Sequence, residues 1–129
     1  MKITRFEDVE AWKAARILMG RVYEATKDRS FIEERDLARQ LRRAGVSAKA
    51  NIAEGFDAGS DPEFRRFLRI VRRSLSEVQS HLYVALDLTL VRRSDFTDLY
   101  DGATRVKRLL GGFLRYLKAR RPNDLLRGG

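Results

Sequence analysis

Residues 64–85 read FRRFLRIVRRSLSEVQSHLYVA, and their spacing decides the fold. Phe64, Leu68, Val71, Leu75, Val78, Leu82 and Ala85 recur at alternating intervals of four and three, the period that lines one face of an α-helix. No strand-like alternation competes with it. The helix opens at a sharp boundary, because Ser60 stands three residues before Glu63 with Pro62 between them. A serine hydroxyl there can cap a free amide, and proline fits the first turn, where its missing N–H costs nothing. The stripe carries the helix to about Leu88.

Three further segments show the same period. The first runs from about Asp8 to Thr26 with Trp12, Ala15, Met19 and Val22 as its stripe, widened by Ala11, Leu18 and Tyr23. The second runs from about Glu33 to Glu54 on Leu37, Leu41, Ala44, Ala48 and Ile52, with Ser30 and Glu33 spaced as a capping box. Gly55 and Gly59 flank a turn in which glycine supplies the left-handed conformation that ends this helix. The last begins near Ser94 and carries Phe96, Leu99, Ala103, Val106, Leu110, Phe113 and Leu117. Gly111 and Gly112 interrupt its propensity by about 1 kcal/mol each, as paired glycines do where a packing partner comes close. Four amphipathic helices with short links predict an all-α fold, an antiparallel up-and-down four-helix bundle over residues 1–119, followed by a flexible basic tail at 120–129. Its core is expected to contain Trp12, Leu41, Leu75 and Leu110.

The composition excludes several kinds of chemistry. A chain of 129 residues supports one hydrophobic core. It has no cysteine, hence no disulfide, no thiolate nucleophile and no cysteine-built zinc site. The one histidine, His81, has no second histidine to share a metal with and flanks the apolar stripe, so it reads as structural. Glu54, Asp57, Asp61 and Glu63 cluster near the second turn, where capping and the helix dipole account for the latter two. No arrangement of nucleophile, base and orienting acid is visible. A non-enzymatic protein without metal or cofactor is expected. Uncharged runs are too short to span a bilayer and the first residues lack the apolar stretch of a secretory signal, so the expected location is the cytoplasm.

The formal net charge is +9, and it is unevenly placed. Residues 1–60 hold 12 basic and 10 acidic groups, residues 61–129 hold 15 and 8. Such an excess points to an anionic partner. At 100° per residue, Arg65, Arg66, Arg69, Arg72 and Arg73 fall within one sector of about 120° on the third helix, away from its apolar stripe. No acid interrupts the run from Arg65 to Arg73. Three readings of this face stay open: a solvated surface, a phosphate-binding ridge, or a salt-bridging contact with another subunit. Arg42 and Arg43 on the second helix are further candidates for the same surface, although Glu33, Glu34 and Asp36 offer ion pairs to their neighbours Arg35 and Arg39.

A linked set of residues also resembles a known family. It comprises residues 6–12 (FEDVEAW), 40–44 (QLRRA), Val46 with Ser47, 51–55 (NIAEG), Gly59 with Ser60, Glu63 with Phe64, Phe67 with Leu68, and Ser74 with Leu75. Together these resemble the bacterial four-helix bundle proteins encoded by intervening sequences inside 23S ribosomal RNA genes. The fold is also similar to that of the accessory proteins of diversity-generating retroelements, basic ring-shaped pentamers that associate with a reverse transcriptase and with nucleic acid. The resemblance implies a homo-oligomer, a pentamer, and supports an RNA- or DNA-binding ridge of low sequence specificity. Phe67, Ile70 and Tyr83, lying off the main stripe, are residues a subunit contact could cover. Two departures occur: Ala48-Lys49 stands where the family has Ile-Pro, and Ala58 stands where a basic residue often precedes Gly-Ser. The alternative is an assembly or adaptor protein whose helices bind another protein.

Overall fold

The computed structural model describes residues 3–119, apart from the side chain of Lys118. The tail expected at 120–129 lies outside the described residues. Within them the chain forms α1 (Glu10–Thr26), α2 (Arg35–Asp57), α3 (Asp61–Asp87) and α4 (Arg93–Ala119), with short 3-10 turns at Phe6–Asp8 and Arg29–Phe31.

The contacts between neighbouring helices run in opposite chain directions. Trp12 lies near Lys49 while Tyr23 lies near Arg42; Phe56 meets Phe64 while Ser47 meets Ser74; Lys107 meets Ser76 while Phe96 meets Tyr83. Leu18 reaches Gly102, and Val9 and Ala11 lie beside Gly112 and Phe113, which closes α1 against α4. This is the antiparallel up-and-down bundle.

All seven stripe residues of α3 are buried, as are Leu41, Ile52, Leu99, Val106 and Leu110. The boundary ahead of α3 forms as the sequence implies. The Ser60 side chain accepts from the Glu63 amide at 3.3 Å and proline sits in the first turn.

Five local expectations are corrected. Trp12 is only half-buried, edge-on to Phe6 at 5.1 Å between centroids, with Arg16 and Lys49 near its ring. The buried line of α1 is Ala11, Ala15, Leu18 and Val22, which turns the large Trp12 ring to the edge of the core beside Phe6. Ser30 does not cap α2. Its amide instead donates to the Asp28 carboxylate, and its hydroxyl donates to the carbonyl of Leu90 at 2.7 Å, tying the α1–α2 connection to the α3–α4 turn.

The α2 helix also runs past Glu54 to Asp57, because Phe56 is buried against Phe64. Gly55 therefore lies within the helix, and only Gly59, at φ 94°, takes the left-handed conformation of the turn. Finally, a Cβ added at Gly111 or Gly112 would meet only Arg115 of the same helix. Close approach between helices occurs at Gly55 instead, where a Cβ would lie 2.7 Å from that of Phe67, and at Gly102 against Leu18.

At the end of α3 the Leu90 amide donates to the Ala85 carbonyl and that of Thr89 to Leu86. This is the six-to-one and five-to-two pairing of a Schellman motif, with the position glycine usually fills occupied by Thr89 at φ 56°.

Candidate nucleic-acid interface

Ser74 fixes the register of the ridge, since its hydroxyl lies 2.9 Å from that of Ser47. The arginines of α3 all precede Ser74 and so pack alongside the C-terminal half of α2. Arg42 and Arg43 precede Ser47 and lie in the opposite half of the bundle. Arg42 and Arg43 accordingly line a different groove from Arg66, Arg69, Arg72 and Arg73.

On α3, Arg66, Arg69, Arg72 and Arg73 are exposed and Arg65 is half-buried. Arg66 is neutralised: it pairs with Glu63 at 3.1 Å and lies over the Phe67 ring at 4.9 Å. Among the described residues no carboxylate comes within ion-pair distance of Arg65, Arg69, Arg72 or Arg73. Arg66, Arg69, Arg72 and Arg73, with Ile70, line a shallow groove of about 390 Å³.

A sixth cation joins from α4, which sequence reasoning missed. Lys107 donates to the Ser76 hydroxyl and to the Gln79 side-chain oxygen, both at 2.8 Å. Partial burial first, and then the charge of Arg72, hold its ammonium group below the usual lysine range. Only the register of α4 on α3 brings Lys107 here, and no local spacing announces that register.

The α2 arginines are differently employed. Arg42 donates from Nε to the Thr26 hydroxyl at 2.7 Å and stacks over Tyr23 at 4.7 Å, so it ties α2 to the end of α1. Arg43 is exposed and, with Arg35 and Arg39, lines a groove of about 660 Å³ that includes Tyr23, Phe31, Ile32 and Val46. His81 is half-buried with one ring nitrogen 3.4 Å from Glu77. Among the described residues no cluster of histidine and acidic side chains is placed to hold a metal ion, and no helix is long and apolar enough to cross a membrane.

A family model described as 23S rRNA-intervening sequence protein matches residues 7–112. The chain belongs to this family. No curated protein matches it in sequence. Among solved structures, the chain is similar to a protein of unknown function from the S23 ribosomal protein family of Bacteroides thetaiotaomicron VPI-5482. The TM-score is 0.73 at 20% identity, over 81% of this chain and 98% of that one. At that identity the likeness speaks to the fold.

Proposed function

We propose that this family member is a non-enzymatic, cytoplasmic nucleic-acid-binding protein that contacts RNA or DNA through phosphates, with little base readout. The observation that carries the reading is the set of arginines at Arg65, Arg69, Arg72 and Arg73, which have no carboxylate partner among the described residues, with Lys107 set beside Arg72. Like charges this close repel one another, and an anion seated among them relieves that repulsion. Guanidinium groups on one rigid helix meet successive phosphates at fixed spacing.

Each phosphate neutralised releases condensed counterion, so affinity should fall linearly with salt on logarithmic axes. About four contacts per subunit on duplex DNA give a slope near −3.6. Replacing Arg65, Arg69 and Arg72 together by Gln should weaken binding and flatten that slope without unfolding the bundle. Replacing Lys118, Arg120 and Arg121 should matter less. Tight binding of mixed-sequence RNA and DNA by the folded triple variant at low salt would sink the ridge.

A homo-oligomer, a pentamer, belongs to the same proposal. Its support is the family resemblance and the apolar surface one subunit leaves open at Ile17, Val84 and Leu88. Light scattering at micromolar concentration is expected to return a multiple of the chain mass, and a monomer mass would remove this part. If the parent binds no nucleic acid, the adaptor reading leads. The largely apolar groove between the end of α1 and α2, with Ile32 and Val46 exposed, is the surface that favours it.

A further inference from the structure

Seven-residue steps return to the same side of a helix packed in a bundle. Arg69, Ser76 and Tyr83 are spaced by seven and so lie on one line along α3, about 21 Å from end to end. Arg65 and Arg72 stand on the neighbouring line toward α4, where Lys107 reaches across to Ser76. Between the arginines and Tyr83 this strip carries Ser76 and Ser80. Glu77 borders the strip, 3.4 Å from a ring nitrogen of His81, and Asp87 follows one turn past Tyr83.

Tyr83 is unusual for an aromatic residue in contact with two others. It is 50% exposed, while Phe96 beneath it is 7% exposed. Its ring centroid lies 5.0 Å from that of Phe96 and 5.7 Å from that of Tyr100, at interplanar angles of 57° and 74°. The two neighbours brace the ring without either lying flat against it, which leaves a supported aromatic surface at the end of a cationic line.

We infer that the nucleic acid this surface takes is single-stranded, with Arg65, Arg69, Arg72 and Lys107 following its backbone and Tyr83 stacking on a base. This deepens the phosphate-binding reading above and rests on it. An aromatic side chain stacks at least cost on a base that is already splayed out, which single strands offer, whereas a duplex must first be unstacked at a few kcal/mol per step. Any base has a π-face, so stacking adds affinity without adding sequence preference.

The test measures anisotropy of labelled mixed-sequence single strands of RNA and DNA, and of a duplex of the same length, at one salt concentration. The parent should bind the single strands at least about tenfold more tightly than the duplex. Tyr83→Ala should lose roughly tenfold on single strands and almost nothing on the duplex. It should keep the parent's salt slope, since no phosphate contact is removed, and Tyr83→Phe should keep the parent's affinity. Equal binding of single strands by the parent and Tyr83→Ala overturns the inference while leaving the phosphate reading intact, as does a parent that prefers duplex. A change of oligomeric mass in Tyr83→Ala overturns it too, by making Tyr83 a subunit contact. A parent that binds neither form removes both readings together.

Discussion

Replacing Leu75 by Ala should destabilise the bundle by about 2 to 5 kcal/mol, the cost of the lost transfer free energy plus the cavity left behind. Leu75 has no exposed surface and sits at the middle of the α3 stripe, with Val71 and Val78 equally enclosed on either side. Surrounded by side chains already close-packed, the site has little room to collapse. Denaturant unfolding should show a lower midpoint with an unchanged slope. A midpoint equal to the parent's would mean that the core lies elsewhere on α3.

The second large effect is expected at Gly55, and its sign opposes helix propensity. Ala is favoured over Gly inside a helix by roughly 1 kcal/mol. At Gly55, however, the added Cβ would lie 2.7 Å from Cβ of Phe67 and 2.9 Å from the Phe64 ring. A Cβ is fixed to its backbone and Phe64 is fully buried, so neither neighbour can yield without moving α3. Overpacking of this kind costs about 1 to 3 kcal/mol, and Gly55→Ala should unfold at lower denaturant than the parent. Gly20 supplies the control. It lies on the exposed side of α1 with nothing within 4 Å of an added Cβ, so Gly20→Ala should gain about 0.5 to 1 kcal/mol. If both substitutions stabilise, the close approach of α2 and α3 is wrong.

Gly55 also marks where sequence reading stopped. Side chains that repeat along one helix announce themselves, and the α3 stripe and its Ser60 cap were legible because everything that determines them lies within a few residues. A glycine has no side chain to repeat. Whether it ends a helix or admits a neighbour depends on Phe64 and Phe67 across the turn. Ser30 has the same difficulty: its spacing to Glu33 fits a capping box, but a carbonyl sixty residues away competes for the hydroxyl and wins.

The candidate site divides along the same boundary. The arginines of α3 share one helix, so their common face could be read from their intervals. Their separation from Arg42 and Arg43 depends on the pairing of Ser47 with Ser74, and Lys107 joins them only through the register of α4. One sequence-derived detail shifted for the same reason. Arg65 was expected in solvent with Arg69 and Arg72, but it is half-buried, on the side of α3 that faces α4.

The threonine at the end of α3 has a consequence for how the molecule breathes. A β-branched residue held at φ 56° carries backbone strain of order 1 to 3 kcal/mol that a glycine would not. That strain is released whenever the α3–α4 turn opens, so it lowers the cost of opening this joint. The amide of Leu90, bonded to Ala85 across the strained residue, would then trade its proton for deuterium sooner than the amides of mid-α3. The hydroxyl of Ser30 on the Leu90 carbonyl acts as the latch against that opening, and its removal would speed exchange at the α1–α2 connection and the α3–α4 turn together.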